Sequence, residues 1–430
     1  MSTSVVVPDL TDPDLYAHGD PHTVWRTLRE HAPVYRQSVG DGLGFRAVTR
    51  YADVARVARD HDVFGPEQGA VPDPFGIGDP AVGQRLAATD PLRPDRMRVL
   101  LDQALRARPI RARADDIRSG IRALLPPDGD PFDLAEAMKA LPLVVIGALL
   151  GLPEDDRPRL AHLALMAFAG DDPDYRLPEG PAATVRRAHR ELFAYFGDLV
   201  RYRVRRPRDD LIGTLLGLRH DGERLSPDAV VVGCHDLLLG AGVPLSQVPG
   251  AAVLELARTG GYAAWANRPD LLDSGVEEAL RWSTPANHLV RITRRPVELS
   301  GVWLPEGATV VAFLGSADRD DRVFAAPDMF DVARRSNRHL AFGAGRRSCV
   351  GSSTARPALR LLFGELFATY ASLEVVGEPV RLRSTFLAGL KRLPVRGRPR
   401  PGTRPVTSPS PRGGADRRSQ SSDIAKSFRA

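Results

Sequence analysis

One stretch of this 430-residue chain gathers the residue types that chemistry needs. Phe342-Gly343-Ala344-Gly345-Arg346-Arg347-Ser348-Cys349-Val350-Gly351 sets a single cysteine in a glycine-rich loop, just before a helical segment over 352–368. The chemistry this offers is that of a thiolate ligand. In an apolar pocket a thiolate needs backbone N–H donors and the positive end of a helix to stay ionised. Glycines at 343, 345 and 351 let the backbone approach closely and turn into that helix. The plainer reading is a structural cysteine buried in a loop. A second feature lies 71 residues upstream: Glu278-Ala279-Leu280-Arg281 puts opposite charges three residues apart on one helix face.

The cysteine loop resembles the signature of the cytochrome P450 family, Phe-x-x-Gly-x-x-x-Cys-x-Gly, at all four fixed positions: Phe342, Gly345, Cys349 and Gly351. Glu278 and Arg281 match the family's Glu-x-x-Arg. Val323-Phe324-Ala325-Ala326-Pro327-Asp328-Met329-Phe330-Asp331 and His339-Leu340-Ala341-Phe342 extend the likeness, which covers about residues 16–396. The resemblance implies a mainly α fold with a small β region, the cytochrome P450 fold. It implies haem b with Cys349 as the axial thiolate ligand, Phe342, Gly343, Gly345 and Gly351 lining its loop, and two-electron activation of dioxygen. Such a thiolate pushes electron density towards O–O cleavage. Arg98, Arg291 and Arg347 fall where the family keeps partners for the haem propionates, and the fork of arginine suits a carboxylate.

Three positions depart from the family. Relatives often carry a histidine four residues before Arg98, where this chain has Pro94; one propionate contact is missing, or Arg93 or Arg96 supplies it. The arginine usual between Pro327 and Phe330, which locks the Glu-x-x-Arg pair, is Met329, with Arg334 or Arg335 as substitutes. The third departure touches mechanism. The family's oxygen-activating helix carries Ala/Gly-Gly-x-Asp/Glu-Thr. Here Ala241 and Gly242 fit, but the acid is Pro244 and the alcohol is Leu245. Neither can relay a proton. Ser246 is one residue on, about 100° around the helix, and so is a poor direct substitute. Pro244 and Pro249 each remove a backbone N–H, freeing the carbonyls of Gly240 and Leu245, and predict a kink able to hold water. His235 and Asp236, two turns before Pro244, fit a polar helix-start face, with a compensating relay as the alternative. Cys234 fits a small buried side chain.

These residues need elements to hold them. Apolar spacing predicts helices near 21–31, 50–60, 95–105, 113–125, 133–151, 157–168 and 182–204. Ser226-Pro227-Asp228 marks a helix start by its capping hydroxyl, first-turn proline and acid. The apolar pattern from there runs to about Ala257, roughly 45 Å of helix. Short β pieces are expected at 289–299 and 302–313. With 43% hydrophobic residues and only two cysteines, the composition excludes a wholly disordered chain, a collagen and a disulfide-stapled mini-protein. No uninterrupted apolar run of membrane-spanning length and no signal peptide is evident, which together with the cysteine count predicts a cytoplasmic protein without membrane contact. The net charge of +6 belongs to residues 397–430, with eight basic groups against two acids. The expected organisation is an N-terminal segment over 1–15, one domain over 16–396, and a disordered basic tail over 397–430 that does not bind nucleic acid.

The combined expectation is a monomeric haem-thiolate oxidoreductase of bacterial secondary metabolism such as antibiotic biosynthesis. Its partners would be a ferredoxin and ferredoxin reductase, and its substrate a small molecule, free or carrier-protein-bound. Hydroxylation, epoxidation and oxidative coupling or cyclisation are all open, with protons from substrate or water. Two other readings are a non-catalytic helper that binds a partner enzyme and a peroxide-driven or isomerising haem enzyme.

Overall fold

The computed structural model describes residues 6–40, 44–66, 93–107, 110–220 and 222–401, with the side chains of 93–96, 107, 220 and 241 left out. Seven of its helices frame the functional region: α1 (Arg93–Ala107), α2 (Leu141–Leu150), α3 (Pro181–Arg205), α4 (Pro227–Leu237), α5 (Val243–Thr259), α6 (Leu272–Ser283) and α7 (Ser352–Thr369). Helix α4 starts as its sequence dictates. The Ser226 hydroxyl accepts from the Ala229 N–H at 3.2 Å, and Pro227 occupies the first turn. A π-turn over Leu238–Gly242 joins α4 to α5 without a break, and Gly260, at φ +70°, ends α5 in the left-handed conformation. The wider turn sits just where Pro244 withholds its N–H, so the strain is taken up as a π-bulge within one continuous helix.

By length and apolarity the span Pro227–Thr259 could cross a membrane, but 76% of its most apolar window is buried inside the protein. It is the central core helix. It packs on α2, α3 and α6 within one large apolar cluster that also takes in Leu100, Leu192, Phe196, Leu362 and Phe363.

A five-stranded sheet stands beside this helical body. Its strands are β1 (Val34–Ser38), β2 (Gly44–Val48), β3 (Phe64–Gly65), β4 (His288–Thr293) and β5 (Thr309–Phe313), in the order β1-β2-β5-β4-β3. Only the β2–β5 pairing is parallel. Alternation splits β5 between two smaller cores: Val310 and Ala312 join Val48, Val54 and Phe64, while Val311 and Phe313 join Trp25, Phe45 and Val290. Strands β4 and β5 realise the expected β pieces; β1 and β2 lie in a region expected to be mostly helical.

The fold extends past the expected boundaries at both ends. Leu10, Leu15 and Tyr16 are buried beside Trp25. A strand over Pro394–Pro399 pairs with Tyr370–Val375, and Arg400 donates to the Phe367 carbonyl at 2.6 Å. The rest of the basic tail, 402–430, lies outside the described residues.

Candidate functional site

The cysteine loop is shaped by its own backbone. Gly343 and Gly345 take φ values of +65° and +76°, where a side chain would be strained. A Cβ on Gly345 would also come within 3.0 Å of the Arg59 Cα. The Cys349 N–H donates to the Phe342 carbonyl at 2.8 Å, and a 3₁₀ turn over Gly345–Arg347 feeds the chain through Ser348 towards α7. Burial pushes the Cys349 thiol up, while the Gly351 and Ser352 N–H groups and the charges of Arg98 and Arg356 pull it down. Its remaining accessible surface opens into an internal cavity of about 350 Å³.

That cavity gathers most of the expected site. Arg98 from α1, Arg291 from β4 and Arg347 and Cys349 from the loop line it together with Phe342, Gly343 and Gly351. Arg98 also donates to the Ser348 carbonyl and Arg291 to the Val290 carbonyl. From the long helix come Asp236, Leu237, Leu239, Gly240, Pro244, Leu245 and Val248. Gly240 leaves open space where a Cβ would stand. Pro244 and Leu245 therefore do face the region next to the thiol.

Gly242 and Ser246 do not. They turn to the opposite side of the helix, onto a second void of about 10 Å³ shared with Lys139, Pro142 and Leu143. A Cβ on Gly242 would stand 3.2 Å from Pro142 Cβ, so this glycine lets the helix pack against α2. The Ser246 hydroxyl donates to the Val243 carbonyl at 2.7 Å and accepts from Gln247 at 2.8 Å. This removes it as a stand-in for the missing alcohol. Ala241 lies in the π-turn; its side chain, like those of Arg93, Pro94 and Arg96, is outside the described part. Gly345 supports the loop from behind, against Arg59. Cys234 is fully buried, and burial raises its thiol well above the usual range.

The Glu-x-x-Arg pair is locked as expected, by Arg334. Glu278 is fully buried and accepts from Arg281 at 2.7 and 2.8 Å, from Arg334 at 3.0 Å, from Asn337 at 3.0 Å and from the Asp331 N–H at 2.9 Å. Burial alone would raise this carboxyl, but those partners hold it below its ordinary value. Met329 supplies only its carbonyl, which accepts from both arginines, while its side chain is exposed. Next to this network, Glu277 accepts from Arg356 at 2.7 Å and from His339 at 3.1 Å, and the Arg356 guanidinium lies 4.6 Å from the Phe342 ring centroid. This clamp ties α6 and α7 to the cysteine loop, and nothing in the local sequence announced it.

Sequence reading also missed several apolar liners: Leu101, Leu280, Leu314, Ala355 and Phe386. They come from five separate segments, so no single motif marks them. Pro66 and Phe168 add to the lining, and residues 67–92 fall outside the described part.

One thiol and three guanidinium groups on a mostly apolar cavity, which also takes in Asp236 and His288, fit a flat, apolar, dianionic metal chelate: the thiol as ligand, the arginines for two carboxylates. A mainly helical body with such a loop and a bulged helix above it defines the haem-thiolate oxidoreductases.

The comparisons agree. The family model described as Cytochrome P450 matches residues 262–391. Putative cytochrome P450 126 of Mycobacterium tuberculosis is 34% identical, covering 90% of this chain and 96% of its own. Cytochrome P450 NovI of Streptomyces niveus is 30% identical, over 90% and 96%. The crystal structure of P450 OxyD, involved in the biosynthesis of vancomycin-type antibiotics, superposes with a TM-score of 0.79 at 31% identity, over 92% of this chain and all of that one. The chain belongs to the cytochrome P450 family and is an oxidoreductase of the monooxygenase type.

Proposed function

We propose that this protein is a haem b monooxygenase acting on an apolar secondary-metabolite intermediate, with the protons for dioxygen reduction delivered by substrate or water. The observation that carries the reading is the cavity itself. Cys349 and three arginines line it together with Pro244 and Leu245 from the long helix.

Cys349 would hold the iron through its sulfur, and Arg98, Arg291 and Arg347 would hold the propionates. What the haem supplies there is reductive activation of dioxygen at a thiolate-ligated iron. The overall balance is substrate–H, O₂, two electrons and two protons to substrate–OH and water. A ferredoxin with its reductase is the electron source. Leu237, Leu239, Leu245, Val248, Leu280, Leu314 and Phe386 wall the substrate region and exclude bulk water. Pro244 and Leu245 present no proton donor or acceptor to it, so in this reading an acidic group of the substrate, or water at the π-turn, hands on protons instead. Oxidative coupling or ring closure, which begins with hydrogen abstraction, suits such a site as well as hydroxylation and epoxidation do. The NovI and OxyD relatives, the latter tied by its description to antibiotic biosynthesis, support a secondary-metabolic role.

The test is the spectrum of the reduced protein under carbon monoxide. Wild type should show the thiolate-ligated band of the family, and Cys349→Ser should lose it while retaining the fold. An unchanged band in Cys349→Ser would overturn the ligand assignment.

A further inference from the structure

Between residues 229 and 257 of the long helix, Gly240 is the one exposed residue among those described. The three residues before it, Leu237, Leu238 and Leu239, are buried. Glycine has no side chain, so the surface it exposes is main chain. That surface belongs to the cavity that holds Cys349. A Cβ added at Gly240 would meet nothing within 4 Å, so the approach to its backbone is open.

The carbonyl of this residue is an acceptor that has lost its helical donor. In an α-helix the carbonyl of residue i points towards the N–H of residue i+4, on the face that the two residues share. For Gly240 that residue is Pro244, which has no N–H, and both residues line the cavity. The proline ring also stands where the hydrogen bond would run, which turns the carbonyl off the helix axis. Around it the wall is apolar: Leu237, Leu239, Leu245 and Val248. A carbonyl so placed carries the cost of a missing hydrogen bond, and a donor on a bound molecule recovers it.

We infer that the Gly240 carbonyl is a substrate-binding acceptor, with Pro244 as the positioning residue that keeps it open, and that the substrate is an apolar molecule bearing an N–H or O–H donor that docks there. The inference rests on the proposed reading that haem and substrate share this cavity. It gives a place on the wall to the proton-bearing group which that reading asks of the substrate.

The test uses holoenzyme whose reduced carbon monoxide complex shows the thiolate band; absence of that band would defeat the underlying reading instead. The probes are N-butylcyclohexanecarboxamide and butyl cyclohexanecarboxylate, which share a shape and differ in one N–H. Binding is followed by the Soret shift and by equilibrium dialysis, and the quantity read is the ratio of amide to ester affinity. Pro244→Ala and Pro244→Val both return an N–H to the helix, opposite Gly240, with different side chains. Each should lower the amide-to-ester ratio by about threefold or more. Leu245→Ala reshapes the same wall without adding an N–H, and should leave the ratio within about twofold even where both affinities change. A ratio that holds in both Pro244 variants overturns the inference, because water or another group then fills the place. So does a ratio that falls equally in Leu245→Ala, which would make it a matter of shape, and so does a wild type that fails to bind the amide. A ratio that falls only in Asp236→Leu overturns it too, by placing the acceptor on that carboxylate.

Discussion

The Glu278 carboxylate accepts from Arg281, Arg334, Asn337 and the Asp331 amide, so a fully buried charge is surrounded by donors. Arg334 reaches it from 56 residues away and takes the place that Met329 vacates. Replacing Arg334 by Ala leaves part of that buried charge unpaired. The expected cost is about 3–5 kcal/mol, read as a lower midpoint in urea unfolding with an unchanged slope. A cost below about 1 kcal/mol would mean that Arg281 and Asn337 suffice. The neighbouring Glu277 gives a pH dependence. Burial raises its carboxyl, but His339 and Arg356 outweigh that and bring it to about 2 from 4.5. An acid lowered on folding contributes stability that is present above its unfolded value and lost as pH falls through the folded one. The stability gap between wild type and Glu277→Gln should therefore be widest above about pH 5 and shrink steadily towards about pH 3. A gap independent of pH in denaturant melts would show that the clamp works by shape and not by charge. The motif residues themselves were legible because covalent spacing fixes them; their locking partners were not, because two arginines, 334 and 335, were equally placed on paper.

At the scale of elements, the long helix carries the site's most consequential departure. Its start was legible in Ser226-Pro227-Asp228, and its interruption in Pro244. The form of that interruption was not, since the helix passes through a π-turn over Leu238–Gly242. That turn also sets which side chains face the cavity: Gly240, Pro244 and Leu245 do, while Gly242 and Ser246 pack towards α2. Pro244→Glu with Leu245→Thr restores an acid and an alcohol on the cavity side. Turnover of substrate analogues that lack an acidic group should then couple better, by about 10²-fold where proton transfer limits the rate. NADPH consumed per product formed measures this, for the natural substrate and for an analogue stripped of its polar group. Tight coupling of both in the unmodified enzyme would mean that the protein already owns a relay.

For the whole molecule, the sheet and the chain ends bind the helical body together. Residues up to Arg400 take part: the last strand pairs along Tyr370–Val375, and Arg400 bonds the end of α7. Truncation after Pro401 should leave the melting temperature and the carbon monoxide spectrum unchanged while weakening retention on a cation exchanger. Truncation after Arg396 removes three strand residues and the Arg400 contact and should lower the melting temperature by a few degrees, about 1 °C per kcal/mol lost in a domain of this size. Equal melting of the two truncations would place the boundary of the fold earlier than the structure does.

The sequence by itself determined the thiol loop, the charge pair on α6, the start and apolar length of the central helix and the loss of its proton-relaying pair. All are local: they follow from residue type, spacing within a few turns and capping chemistry. Only the tertiary structure decided that Arg334 closes on Glu278, that Ser246 turns away from the cavity, that His189 meets His235 across 46 residues, and that β1 and β2 join β5 in one sheet. Those outcomes depend on how buried surfaces pack and on which of several rotamers or partners leaves no polar group unsatisfied. Such choices are made between distant segments, so no window of sequence contains them.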